Sequence, residues 1–351
     1  MKASIKLFSI MFIILITVTI TATALGAVYV PFFDTARIIL KNIGINLGGS
    51  YVDFQESIIF QIRFPRVLAG ILVGAALATS GCVMQSMFRN PMAEPGLLGI
   101  SSGSGLGAVI SISLGLTIRS LPIFGVIVNG IYIMPIFAIL GAFSTALLVY
   151  FLSIKGGKIP VLTLVLSGIV VSTFVGALTS LIISRMNHYQ VNEYIFWAMG
   201  SLSGILWENL GIVYIPIIIG IIVINLFSKD LNILLLGEEE AQSVGLNPSG
   251  TRRKMIFMTS IITALAVCIS GNISFVGLIV PHIMRLLVGP DNRILLPASA
   301  IGGAIFMVGC DLIARTVIMP SEIGVGIVTS IIGAPYFLYL LNRARKEGVV
   351  I

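Results

Sequence analysis

Residues 63–108 hold two apolar runs parted by a short polar break, and that pattern leaves such a chain few options other than a lipid bilayer. Arg63 and Arg66 bracket Pro65, and the run from Val67 to Phe88 follows. It meets the roughly 20 apolar residues that a helical crossing needs. The run stops at Arg89-Asn90-Pro91, where Asn-Pro favours a turn, and the second run begins near Gly96. Gly70, Gly74 and Ala78 recur at helical spacing in the first run, as do Gly99, Gly103 and Gly107 in the second. Each set lies on one face, and small-residue faces let membrane helices approach closely where no hydrophobic drive exists between them.

Composition carries this reading to the whole chain. Of 351 residues, 57% are hydrophobic and 10% charged, with mean hydropathy +1.08. A soluble domain averages about 25% charged. The net charge of +7 is not a nucleic-acid footprint, because no basic stripe is interleaved with aromatics in a soluble region. Cys82, Cys268 and Cys310 fall inside apolar runs with no C-x-x-C pair, so they read as small buried residues, not as disulfides or metal ligands.

Taken in order, the chain is all-α with about ten crossings. The first spans residues 7–30; its Ala22-Thr23-Ala24 has the look of a cleavage site, but the run is longer than the roughly 7–15 residues of a signal peptide's apolar region. Residues 31–62 lie outside. Further spans are expected at 67–88, 96–118, 131–153 and 159–184, then at 210–227, 255–271, 273–289, 295–319 and 323–341. Residues 185–208 read as a wet outer segment with Trp197 and Trp207 at the interface, and Lys229–Lys254 as the longest inner segment. With both termini cytoplasmic, fourteen of the 21 Lys and Arg fall inside, Lys155 and Lys158 among them, while Arg119 is one of those outside. That bias is the positive-inside pattern. A faint internal echo links Leu77–Gly81 with Val267–Gly271.

The series R-x-P-R, V-G-A-A-L-A-x-S-G, M-Q-x-x-x-R-N-P and L-G-I-S-S-G resembles the permease subunits, of the FecCD/BtuC type, of ABC importers for iron-siderophores, haem and vitamin B12. Leu236-Gly237-Glu238, Gly277-Leu278 with Pro281-His282-Ile283 and Arg285, and Asp311 with Ala314-Arg315 extend the likeness over nearly the whole chain. The resemblance implies a type II importer permease, a single transmembrane domain over 1–351. Its implied partners are a second permease copy or homologue, two ABC ATPase subunits and an extracytoplasmic binding protein. It implies a location in the cell membrane and transport of a ferric siderophore, or of haem or cobalamin, by ATP-driven alternating access. It also implies that residues 163–183 and 325–341 line the pathway.

Candidate functional residues fall into three groups. In the inner segment 231–250, Gly237 and Gly245 bracket a short helix that opens with Glu238, Glu239 and Glu240, carboxylates suited to a helix N-terminus. By resemblance Leu236, Gly237, Glu238, Glu239, Ala241 and Gly245 belong to the coupling helix that docks on the ATPase; an ordinary solvated loop helix is the plainer alternative. Arg63, Arg66 and Arg315 stand outside against the charge bias. They suit headgroup contact, an ion pair such as Asp311–Arg315 at one helical turn, or, by resemblance, docking of an acidic binding protein. Arg89, Asn90, Pro91, Pro281, His282, Arg285 and Asp311 are gate or structural positions. Ser321-Glu322-Ile323-Gly324 stands where the family has Glu-Leu-Pro, and Gly324 would loosen the start of the last span.

Other function classes lack their chemistry. Gly156-Gly157-Lys158 has neither the Gly spacing nor the Ser/Thr of a P-loop. Gly103–Ala108 fits G-x-G-x-x-A but lies in an apolar span with no preceding strand. No nucleophile–base or metal constellation can be assembled, so no catalysis and no cofactor are expected of this chain. Asp311 is the one acidic residue well inside a span, which argues against an ion-coupled carrier or channel, the alternative transport class.

Overall fold

A computed structural model describes residues 2–26, 28–45, 48, 52–118, 121–123, 126–154 and 159–346. Arg119, Lys155 and Lys158 of the charge count, and Gly156-Gly157, lie outside the described residues. In chain order the helices are α1 (Lys2–Ala24), α2 (Phe32–Asn42), α3 (Asp53–Glu56), α4 (Phe64–Phe88), α5 (Ile100–Ser113) and α6 (Gly130–Ser153). Next come α7 (Val161–Ile183), α8 (His188–Ala198), α9 (Trp207–Leu226), α10 (Ser228–Leu236) and α11 (Glu238–Ser243). The last four are α12 (Pro248–Ser270), α13 (Val276–Val288), α14 (Asn292–Thr316) and α15 (Val325–Lys346). A small antiparallel ribbon pairs Leu121–Ile123 with Val126–Val128.

Among the described residues seven helices are long and apolar enough to cross a membrane, and three shorter apolar ones, Ile100–Ser113, Val276–Val288 and Val325–Leu340, bring the number to the ten expected. Several boundaries differ from the sequence reading. The third span, expected over 96–118, begins with a 3₁₀ turn at Pro95–Leu98 and is helical only over Ile100–Ser113. The second starts earlier: Asp53–Glu56 passes through a π-helical turn, Ser57–Arg63, into α4 without a break. The outer segment 185–208 carries the helix α8, none of whose residues is buried. Asn187 caps α8 by accepting from Gln190 N, and the Gln190 amide donates to Ile112 O and Ser113 O, satisfying carbonyls at the end of α5. Pro248 begins α12 at a first-turn position, where its missing N–H costs nothing.

Helix α4 is the axle, nearly buried along its length and packed by α12, α13 and α14. Its small residues explain how the neighbours come so near. A methyl group at Gly74 would overlap the Gly303 carbonyl, and one at Gly81 the Gly277 carbonyl. In the α5–α6 pair, Gly103 and Gly107 meet Gly141 and the Phe137 carbonyl in the same way. These are the faces the spacing predicts, with backbone meeting backbone where lipid supplies no other drive. Cys82, Cys268 and Cys310 are all buried and free.

Candidate functional site

Three regions place the predicted residues. The inner one is built around α11. Gly237 takes φ +141°, a left-handed value that spares it a Cβ penalty, and Gly245 follows the helix at φ +84°. Arg252 of α12 forms an ion pair with Glu238, so the first acidic residue is used to hold the helix. Ala241 is buried beneath it. What faces outward is Glu239, Glu240, Leu236 at 66% exposure and Val244 at 64%. Two exposed apolar side chains beside a pair of carboxylates make a surface suited to a protein partner.

From this segment a hydrogen-bonded chain runs into the bundle. Asn232 of α10 accepts from the backbone N–H of Asn292 at 2.8 Å and from its side chain at 2.9 Å, and donates to Asp291 at 2.6 Å. Buried Asn292 accepts from Ser86 Oγ of α4 at 2.7 Å, and Arg285 of α13 donates to Ser86 at 3.2 Å. Arg293 and Asn232 on the Asp291 carboxylate hold it down at about 2. Sequence reasoning singled out Arg285 but missed Asn232, Ser86, Asp291 and Asn292. Only the Asp291-Asn292 pair opening α14, a helix-start signal, could have marked them. Arg89 ends α4 in a left-handed conformation, φ 51°, and Asn90 Oδ1 accepts from Met92 N at 2.8 Å, so Arg89-Asn90-Pro91 form the expected turn. Pro281 lies within α13, and His282 sets its ring against Tyr336 of α15 at 6.4 Å.

In the outer region the three predicted arginines are already engaged within the chain. Arg63, Arg66 and Arg315 are only 6%, 7% and 5% exposed. Arg66 grips Asp311 through Nε at 3.0 Å and Nη2 at 2.8 Å, and Glu322 through Nη1 at 2.9 Å. Arg315 also faces Asp311, at 3.5 Å. Arg63 donates to Ala24 O at 2.7 Å and Val28 O at 2.5 Å, and Arg315 to Ala22 O. The three cations thus sit between two carboxylates and the carbonyl end of α1, where a helix carries partial negative charge. Arg66 and Arg315 are engaged in ion pairs, and Arg63 by backbone carbonyls at and beyond the end of α1. Glu322, missed as a partner, enters this cluster from the chain leading to α15. Nor is Gly324 loosely held: a Cβ there would stand 3.0 Å from Gly200 O.

A third region is a run of concavities. One, of about 570 Å³, is lined by Glu94, Ser101 and Ser102 with Ser172, Thr179 and Tyr194. It meets a second, of about 600 Å³, at Asn272 and Ser274, where Ser330 and Pro335 of α15 take part. Helix α7 lines the first concavity and α15 the second. Glu94 went unnoticed in the sequence, and burial pushes its carboxyl above the usual range.

The sequence model of the FecCD transport family matches residues 13–343. The chain belongs to the FecCD transport family. It is 42% identical over 294 residues to the cobalamin import system permease protein BtuC of Halobacterium salinarum, covering 84% of this chain and 76% of that one. It is 37% identical to the hemin transport system permease protein HmuU of Yersinia pestis, covering 84% and 86%. A solved structure described as an inward-facing conformation of a metal-chelate type ABC transporter superposes with TM-score 0.82 and 31% identity over 96% of this chain and 99% of that one. This FecCD protein is thus a multi-pass membrane permease of the metal-chelate and vitamin ABC importers, a class that works with an ATPase and a binding protein.

Proposed function

We propose that this FecCD permease imports a metal chelate, a ferric siderophore foremost with haem or cobalamin as the other candidates, by ATP-driven alternating access. Two copies, or one with a homologue, enclose the pathway, with both termini cytoplasmic. ATP hydrolysis takes place on separate ATPase subunits, and this chain carries no catalysis. The observation that carries the reading is α11: Arg252 clamps its first carboxylate while Glu239, Glu240, Leu236 and Val244 stay free to meet a partner. The hydrogen-bonded chain from Asn232 to Ser86 and Arg285 gives a push on that segment a route to α4, α13 and α14. The hydroxyl- and amide-lined concavities beside α7 and α15 suit a wide, weakly binding route, with Glu94 as its carboxyl lining group. The binding protein delivers cargo at the outer face, by contacts other than the buried arginines.

An ion-coupled carrier fits less well, because Asp311, the carboxylate well inside a span, is already held by Arg66 and Arg315. The test is Glu239→Arg in the permease reconstituted with its ATPase and binding protein. Uptake is expected to fall to the no-ATP background while the protein elutes as folded. Survival of uptake removes the docking assignment, and solute flux in the purified permease without nucleotide replaces the importer by a carrier.

A further inference from the structure

A groove between α6 and α12 shares no lining residue with the concavities beside α7 and α15 or with α11. Its lining residues fall at i, i+3, i+4 and i+7 on each helix, from Phe143 to Tyr150 on α6 and from Arg253 to Ser260 on α12. That spacing makes each wall a single helical face two turns long, about 10 Å. The crossings α6, α7, α9 and α12 alternate in direction, so α6 and α12 run antiparallel. Tyr150 then lies level with Arg253. Phe143 and Phe257 meet edge to face near the other end, their ring centroids 5.6 Å apart.

The surface inside the groove is almost wholly apolar, with Tyr150 and the exposed Arg253 beside one end and aromatic and aliphatic groups beyond. Ser260, at the apolar end, is buried with no hydrogen-bond partner, so the polar contacts available to a headgroup are those of Tyr150 and Arg253. Three cations follow one another at this end, and two are occupied. Arg252 is paired with Glu238, and Lys254 sits over the Phe227 ring at 5.6 Å. Arg253 is exposed, and among the described residues no carboxylate pairs with it. Phe257, 47% exposed while lining the groove, shows that the cleft opens on the outside of the bundle. Its volume of about 210 Å³ is below the roughly 300–1,000 Å³ of a site that encloses a small molecule. A half-open channel of this kind suits one chain of a larger amphiphile.

We propose that this groove binds an anionic phospholipid, with its phosphate on Arg253 and Tyr150 and one acyl chain laid between α6 and α12 toward Phe143 and Phe257. Charge complementarity selects the occupant: a basic pocket between membrane helices holds anionic headgroups, and the apolar length behind it takes the chain. Because Arg252, the next residue, clamps α11, the bound lipid would steady the helix from which the inner segment hangs.

The test is native mass spectrometry of the full-length permease released from detergent, titrated with phosphatidylglycerol or phosphatidylcholine of matched chains. The wild type is expected to retain phosphatidylglycerol about fivefold more tightly, the worth of one basic contact near a membrane surface. Arg253→Ala, at an exposed position, should abolish the preference. Leu147→Trp, which fills the groove, should weaken retention of both lipids with Arg253 intact. Equal retention of the two lipids by the wild type overturns the site, as does a preference that survives Arg253→Ala. Unchanged binding in Leu147→Trp would remove the groove from the proposal, and full displacement of phosphatidylglycerol by inorganic phosphate would make the site one for free anions.

Discussion

Arg66 shows how far a single side chain can be from its sequence-level role. Its exposed-side position and its place in R-x-P-R suggest a cation waiting for an acidic partner, whereas its guanidinium is already shared between Asp311 and Glu322. Asp311 and Arg315 are one turn apart, so their pairing could be read from spacing alone. Arg66 is 245 residues from Asp311 in the chain, and nothing local announces that meeting. Removing one partner of a buried ion pair strands the other and costs about 3–5 kcal/mol. Asp311→Asn should therefore lower the thermal unfolding midpoint of the detergent-solubilised protein sharply. Glu322→Gln, at a carboxylate 39% exposed, should lower it much less. Equal effects would mean that Asp311 is not the hub.

Among elements, the inner helix α11 was legible because two glycines and three glutamates mark its ends, each for a local backbone or dipole reason. Its connection to the bundle was not, since it runs through Asn232, Asn292 and Ser86, uncharged residues on three different helices. Asn232→Ala would leave Asn292 buried with unmet hydrogen bonds, about 1–3 kcal/mol for such a group. Coupling energies of that size change linked equilibria by about 5- to 150-fold. The expected result in proteoliposomes is uptake reduced about tenfold while ATP hydrolysis by the assembled complex persists. A parallel loss of both would place Asn232 in docking instead of transmission. Helix α8 reads in the sequence only as part of a wet outer segment, and its tie to the bundle, from Gln190 to the carbonyls at the end of α5, lies 77 and 78 residues away in sequence.

For the whole molecule, the charge bias predicts which side each loop faces, and the three native cysteines, each no more than 3% exposed, leave a quiet background for testing it. Ser243→Cys on α11 should react with a membrane-impermeant maleimide only from the cytoplasmic side. Tyr189→Cys on α8, replacing a side chain 72% exposed, should react only from outside. Labelling with the two faces exchanged would invert the topology, and labelling of both from one face would overturn the count of crossings between them. The sequence by itself determined that this chain is a many-span membrane bundle, because runs of apolar length and small-residue faces are local patterns that a bilayer acts on directly, and its motifs carried the resemblance to the FecCD family. Tertiary structure decided which polar groups are free and which are spent. A buried charge takes the partner that reaches it through space, and for Arg63, Arg66 and Arg315 those partners come from other helices: the carbonyl end of α1, Asp311, and the approach to α15.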